Sequence, residues 1–269
     1  MADQRLDEPD AAVAEGRRAR LRRQTLQDLH AAAMAEIREH GAVELSLRRV
    51  ARRLGMSPAG LYRYVDSRED LLTRLIADAY HDLADHLLVA IGADDERQDL
   101  QGPPPVPPTV ATRDADVCER VRAAALAYRD WGVRHPNEFG LLFGNPIPNY
   151  EAPPGGPTVA AMGRVGFGLG RPLVEAWEQG RLRVPDGWRA LVAEPHLAAR
   201  FDPMLDFDGR RLTPEVAATL LLLWGRLHGQ VSLEVFGHHH WLLPDGCEAL
   251  YVAELEAIET ELFSAPDGS

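Results

Sequence analysis

The sequence predicts an all-α fold made of a small N-terminal helical module followed by a larger helical domain. Three observations predict it. Apolar residues recur at helical spacing in segment after segment, and no strand-like alternation of any length interrupts them. Glycine and proline punctuate the helical patterns where helices start and stop. Charge divides the chain in the same place: residues 11–68 carry twelve Arg against six acids, whereas residues 69–269 carry sixteen Arg against 31 acids.

The elements follow in order. Residues 1–15 are acidic and alanine-rich with no apolar stripe, and are expected to be disordered. From about Arg20 to His40, Leu26, Leu29, Ala33 and Ile37 share one helical face, and Gly41 is a stop signal. A second helix starts near Ser46, with Leu47, Val50, Ala51 and Leu54 on one face and Arg48, Arg49, Arg52 and Arg53 on the other. Gly55 ends it. Ser57 then reads as an N-cap with Pro58 at the first helical position, opening a helix to Tyr64. Ser67 with Asp70 is a capping-box variant that opens a long helix towards Ile91. The proline-dense stretch 101–109 is expected to be a stiff loop or spacer. Helices are expected again near 115–135, 138–143, 158–180, 188–200, 214–235 and 246–263.

Composition bounds the function. A 269-residue chain with 45% hydrophobic residues can bury a sizeable core. Two cysteines, Cys118 and Cys247, exclude a disulfide scaffold and fit a reducing, cytoplasmic setting. The longest apolar run, Leu220–Trp224, is far short of a bilayer span, and the acidic start is no signal peptide. The net charge of −12 argues against a surface that coats a polyanion everywhere. Its uneven placement suggests a polyanion touching only the first quarter of the chain, although arginine-rich solvated faces account for the same numbers.

Two short helices joined by Leu54-Gly55-Met56-Ser57 make a helix-turn-helix, in which the second helix enters the major groove. The run Ser46-Leu-Arg-Arg-Val-Ala-Arg-Arg-Leu-Gly-Met-Ser-Pro-Ala-Gly-Leu-Tyr-Arg-Tyr-Val65, followed by Asp-Ser-Arg-Glu-Asp-Leu-Leu72, resembles the DNA-binding domain of the TetR family of bacterial repressors. The resemblance covers residues 20–80, places the domain at 16–80 with its motif at 46–65, and leaves 81–269 as a ligand-binding and dimerisation domain. It implies DNA contact by Ser46, Arg48, Arg49, Ser57, Ala59, Gly60, Tyr62, Arg63, Tyr64 and Arg68. Arg68 stands where the family usually carries a phosphate-contacting lysine, and Val65 where phenylalanine is commoner. This chain has no lysine at all.

The resemblance further implies that the last two helices form a four-helix bundle with a second copy, through Leu220, Leu227, Val231, Tyr251, Leu255, Ile258 and Leu262. The string Trp224-Gly-Arg-Leu-His228-Gly229 also resembles the Trp-His-Gly subgroup of these regulators. Trp131, Phe139, Phe143, Phe167, Trp177, Trp224 and His228 are candidates to line an apolar pocket for an unidentified small molecule, with simple core packing as the alternative for each. The histidines His238–His240 cannot share one helical face, so no metal is expected, nor any cofactor. The implied partners are double-stranded operator DNA, a small-molecule ligand and a second copy of the chain, with no membrane. The function that follows is a repressor released from a palindromic operator by its ligand. Alternatives are a ligand-independent DNA-binding protein or activator with a closed core, and an all-helical enzyme with a regulator-like N-terminus; residues 115–269 show no nucleophile elbow or phosphate loop for the latter.

Overall fold

The computed structural model describes residues 8–93, 107–244 and 246–263, with side chains from residue 19 onward. Residues 101–106 of the proline-rich stretch and 1–7 of the N-terminal extension lie outside them. The described chain is helical: α1 (Glu8–His40), α2 (Leu47–Arg53), α3 (Pro58–Leu61), α4 (Arg68–Ala90), α5 (Val117–Arg134), α6 (Pro136–Phe143), α7 (Pro157–Glu178), α8 (Asp186–Leu191), α9 (Pro195–Ala198), α10 (Pro214–Val235) and α11 (Glu248–Leu262). It divides into two compact units. One holds the chain up to Ile76 together with Phe143–Pro153, and the other holds Ala77–Leu142 and the chain from Pro154 on.

In the smaller unit, Leu29, Ala33 and Ile37 of α1 are buried, as their spacing predicts, together with Val50, Ala51, Leu61, Val65, Leu71, Leu72 and Leu75. Each large apolar side chain buried this way contributes roughly 1.5–3 kcal/mol. Helix α1 differs from expectation at its start. It runs back to Glu8, so residues 8–15 are helical rather than disordered. Alanines at 11, 12 and 14 extend a helix already nucleated downstream at little cost, with no apolar stripe needed. The local signals elsewhere in this unit act as read. Ser57 accepts from the Gly60 amide at 3.1 Å, and Gly55 takes φ +65°, where a side chain would be strained. Ser67 accepts from the Asp70 amide at 3.1 Å while the Asp70 carboxylate accepts from the Asp66 amide at 2.9 Å. Helix α3 is a single turn, Pro58–Leu61, and Tyr62–Tyr64 follow as turns rather than as helix. A 3-10 turn at Ala42–Glu44 precedes α2. The segment 143–153 joins this unit through the Tyr150 hydroxyl, 3.1 Å from Thr73 Oγ1.

In the larger unit α5 lies at the centre, with Val121, Ala124, Ala127, Tyr128 and Trp131 buried. Arg120 sits on this apolar stripe. It donates to the Ile91 carbonyl at 3.1 Å and pairs with Glu175 of α7. Helices α5 and α10 approach closely at Gly132, where an added Cβ would come within 2.9 Å of Val231. Arg129 grips Glu234 of α10 with two bonds of 2.8 and 2.7 Å, and Glu234 accepts from the Cys247 amide at 3.0 Å, so one carboxylate ties α5, α10 and the start of α11. Pro136 opens α6 as well as closing α5. The turn-rich stretch 202–211 contains a two-residue ribbon, Asp206–Phe207 paired with Arg210–Arg211, closed by Asp208 and Gly209 at positive φ. Both cysteines are free, and burial raises the Cys118 thiol to about 11, away from thiolate chemistry.

Candidate nucleic-acid interface and helical core

The smaller unit presents a compact polar face around α3. Ser57, Ala59, Tyr62 and Arg63 are exposed, and Tyr62 keeps 55% of its surface although it follows a buried leucine. Gly60 is tight against the Ser57 hydroxyl, since an added Cβ would lie 3.3 Å from it; glycine there keeps the cap intact and the backbone bare. Ser46 stands at the N-cap of α2 and Arg48 is exposed on its first turn. Tyr64 is half-buried, with the Arg22 guanidinium 5.9 Å above its ring and its carbonyl accepting from Arg74 at 2.8 Å.

The remaining two arginines of the expected contact set are placed differently. Arg49 reaches back to Glu36 of α1 and also donates to the Glu44 carbonyl. Glu36 is buried and also receives Arg53 at 3.4 Å. Burial pushes its pKa up, but Arg49, His40 and Arg53 outweigh that and hold the carboxyl below its usual range. Arg68 donates to three backbone carbonyls, those of Leu45, Ala42 and Val43, at 3.1, 3.0 and 2.8 Å.

The seven pocket candidates do not form one group. Phe139, Trp224 and His228 come together around Tyr128, a residue the sequence did not single out. His228 stacks between the Trp224 ring at 4.8 Å and the Phe139 ring at 5.7 Å. The Tyr128 hydroxyl lies 2.7 Å from His228 Nδ1, and His228 Nε2 lies 3.2 Å from the Ser232 hydroxyl. Burial lowers the His228 pKa and raises that of Tyr128, keeping both neutral. The Trp-His pair one turn apart is therefore a lock between α5 and α10. Trp131 stacks on His135 and donates to Asp82 at 2.7 Å. Phe167 and Trp177 belong to another cluster: Phe167 stacks on Phe207 at 6.1 Å, and Trp177 packs with Phe207 and Leu220 on Val174, Leu212 and Val216. Phe143 belongs to the smaller unit.

The residues of the expected dimer stripe are packed within the chain itself. Leu227, Val231, Tyr251, Leu255, Ile258 and Leu262 are buried inside the protomer, and the Tyr251 hydroxyl donates to the Ala125 carbonyl at 2.7 Å. Leu220 is half-buried in the Trp177 cluster. Part of this stripe meets α5, as Val231 does at Gly132 and Tyr251 does at Ala125. The opposite face carries exposed Leu221, Trp224 and Leu250, with Gly225 and Gly229 open beside them. His238–His240 lie in the turn that follows α10.

His86 Nδ1 and Thr158 Oγ1 are among the buried side-chain atoms with no hydrogen-bond partner among the described residues. His86 of α4 is 2% exposed, and its Nε2 donates to Asp130 at 3.0 Å. Burial lowers its pKa against the pull of Asp130 and Asp82, so the ring is neutral. Its Nδ1 is then an acceptor, and it finds no hydrogen-bond partner among the described residues. The sequence reading missed His86, and its place one turn beyond Leu83 on the apolar stripe of α4 is the signal that could have found it.

Comparison with known proteins agrees with this arrangement. Residues 29–75 match the family described as bacterial regulatory proteins, tetR family, and residues 121–258 match the tetracyclin repressor-like C-terminal domain. The HTH-type transcriptional regulator Rv1816 of Mycobacterium tuberculosis (strain ATCC 25618 / H37Rv) is 36% identical over 204 residues, which are 76% of this chain and 77% of that protein. A counterpart from Mycobacterium bovis, the HTH-type transcriptional regulator Mb1846, matches at the same identity and coverage. Among solved structures, the protein SCO4313 is 29% identical with a TM-score of 0.61, covering 89% of this chain and 97% of that one. The TetR family transcriptional regulator PfmR from Thermus thermophilus shares the fold at 19% identity, with a TM-score of 0.51 and coverage of 86% and 96%. With matching models at both ends of the chain, an exposed helix-turn-helix face and an all-helical larger unit, the protein belongs to the TetR family of DNA-binding transcriptional regulators.

Proposed function

We propose that the protein is a homodimeric cytoplasmic repressor that reads a palindromic operator and is released from it by a small molecule. The observation that carries the DNA half is the exposed face Ser57–Tyr62–Arg63, with Arg48 exposed on the first turn of α2. Ala59 and Gly60 let the backbone approach bases, Tyr62 and Tyr64 offer hydroxyls, and Ser46 and Arg48 lie towards the backbone. Two such faces would address half-sites about 34–36 Å apart. The dimer reading rests on the outward face of α10 and α11. Leu221, Trp224 and Leu250 supply apolar area there, and Gly225, Gly229, Ala253 and Ala257 let a second pair of helices come near.

The ligand reading rests on His86 Nδ1. A buried acceptor left without a donor costs about 1–3 kcal/mol, so a molecule bearing a hydroxyl or amine would recover that loss on binding. It would act only by favouring the arrangement that binds DNA less well. The complete burial of Trp131 and Phe139 favours a second reading, a regulator with a closed core that needs no ligand.

Selection of bound duplexes from a random pool by the purified protein tests the first part. The expected product is an inverted repeat with its half-sites one helical turn apart. Recovery of no enriched sequence sinks the operator reading. Thermal-shift screening of small hydroxylated and aminated compounds tests the second part, and a stabilising hit that acts equally on His86→Phe removes the ligand assignment.

A further inference from the structure

Seven arginines lie between Arg48 and Arg74, and they fall into two kinds. Arg49, Arg53, Arg68 and Arg74 are bound within their own unit. Arg49 and Arg53 hold the buried Glu36 carboxylate, and Arg74 pairs with Asp70 at 2.9 Å and donates to the Tyr64 carbonyl. Arg48, Arg52 and Arg63 are exposed and form no ion pair or side-chain hydrogen bond among the described residues.

Arg68 is the informative case. A guanidinium has five N–H donors. Here Nε is spent on the Leu45 carbonyl at 3.1 Å, and both hydrogens of Nη2 on the Ala42 and Val43 carbonyls at 3.0 and 2.8 Å. The remaining nitrogen, Nη1, lies 3.7 Å from the Glu69 carboxylate. Only Nη1, already facing Glu69, is left to meet a phosphate, and turning the rest of the guanidinium towards one would mean abandoning the carbonyls that surround the 3-10 turn at Ala42–Glu44. That turn sets where α2 begins. Arg49 works from the other side: its bond to the Glu44 carbonyl fixes the same turn, and its bond to Glu36 fixes α2 against α1. The Glu36 carboxylate is covered by these partners, which hold its pKa down against the cost of burial.

We propose that Arg68 and Arg49 are positioning residues that hold the 3-10 turn and α2 in place, and that phosphate neutralisation falls to Arg48, Arg52 and Arg63. The inference rests on the DNA-binding reading, and the experiment separates the two. Full-length protein and variants are titrated against a random-sequence 30-base-pair duplex, and log affinity is plotted against log salt. Each lost phosphate contact lowers the slope by about 0.9 per protomer, or about 1.8 for a dimer. Arg63→Gln and Arg48→Gln are expected to lower it by that amount. Arg68→Gln is expected to weaken binding at every salt concentration with the slope unchanged. Arg68→Lys guards against misfolding, since it keeps the charge. An ammonium is a single point that cannot span three carbonyls, so binding should fall about tenfold with the slope intact.

Wild-type affinity in Arg68→Lys, or a slope in Arg68→Gln reduced as much as in Arg63→Gln, overturns the assignment. Wild-type protein that shows no salt-dependent binding to any duplex overturns the DNA-binding reading instead.

Discussion

Removing one oxygen from Tyr128 tests the lock between α5 and α10. In Tyr128→Phe the ring still packs on Phe139 and His228, with centroids 6.3 and 6.2 Å away, so no cavity opens. One bond disappears, that to His228 Nδ1 at 2.7 Å. His228 is half-buried, and removing that partner adds to the loss of the bond itself. Together these amount to about 1–2 kcal/mol. For a domain of this size that is a fall in Tm of about 2–8 °C. The assay is thermal unfolding of Tyr128→Phe, His228→Phe and the double variant. If the hydrogen bond is the source, the double variant should lose less than the sum of the singles, by about 0.5–3 kcal/mol. Strict additivity, or a Tyr128→Phe protein as stable as the parent, refutes the reasoning.

Gly132→Ala should destabilise the larger unit, because the new methyl meets Val231 at 2.9 Å and Phe139 at 3.0 Å; the overpacking cost of about 1–3 kcal/mol outweighs the gain in helix propensity of about 0.5–1 kcal/mol. Urea unfolding checks it, and a more stable Gly132→Ala would show that the α5–α10 approach is looser than described. His86 and His228 have folded pKa values below the ordinary 6.5, so the unfolded chain takes up protons first on acidification, and stability should fall as pH drops below about 6.5. Urea midpoints at pH 7.5 and 5.5 read this directly, and equal midpoints would show that neither ring stays neutral. Leu221→Glu places a charge on the outward face of α10 and should convert a dimer to a monomer in light scattering without lowering helix content; a persistent dimer moves the interface elsewhere.

Much of the smaller unit could be read from the sequence because its signals are local. Ser57 caps α3 three residues away, Ser67 and Asp70 cap α4 within one turn, and Gly55 needs only its own backbone angle. The arginines of the same unit could not be read this way. Arg68 bonds to residues 23 to 26 positions earlier and Arg49 to one 13 positions earlier, distances at which periodicity carries no information about a partner. A resemblance in type at position 68 implied a phosphate contact and gave no sign of the three carbonyls that the side chain also bonds.

The larger unit shows the same divide more sharply. The stripe Leu223, Leu227, Val231 on α10 announced a buried face, and it is buried within the chain, with Val231 against Gly132 of α5. Amphipathicity reports that water is excluded from one side of a helix and is silent about what excludes it. Tyr128 meets His228 across 100 residues, and Arg129 meets Glu234 across 105. By itself the sequence determined the helical class, the helix ends, the helix-turn-helix and the division of charge, since each depends on neighbours within a turn or on simple summation. Only the tertiary structure decided which arginines are paired within the smaller unit, which aromatic residues share a cluster and which helix face is left outward. Those outcomes depend on which distant surfaces bury one another most completely.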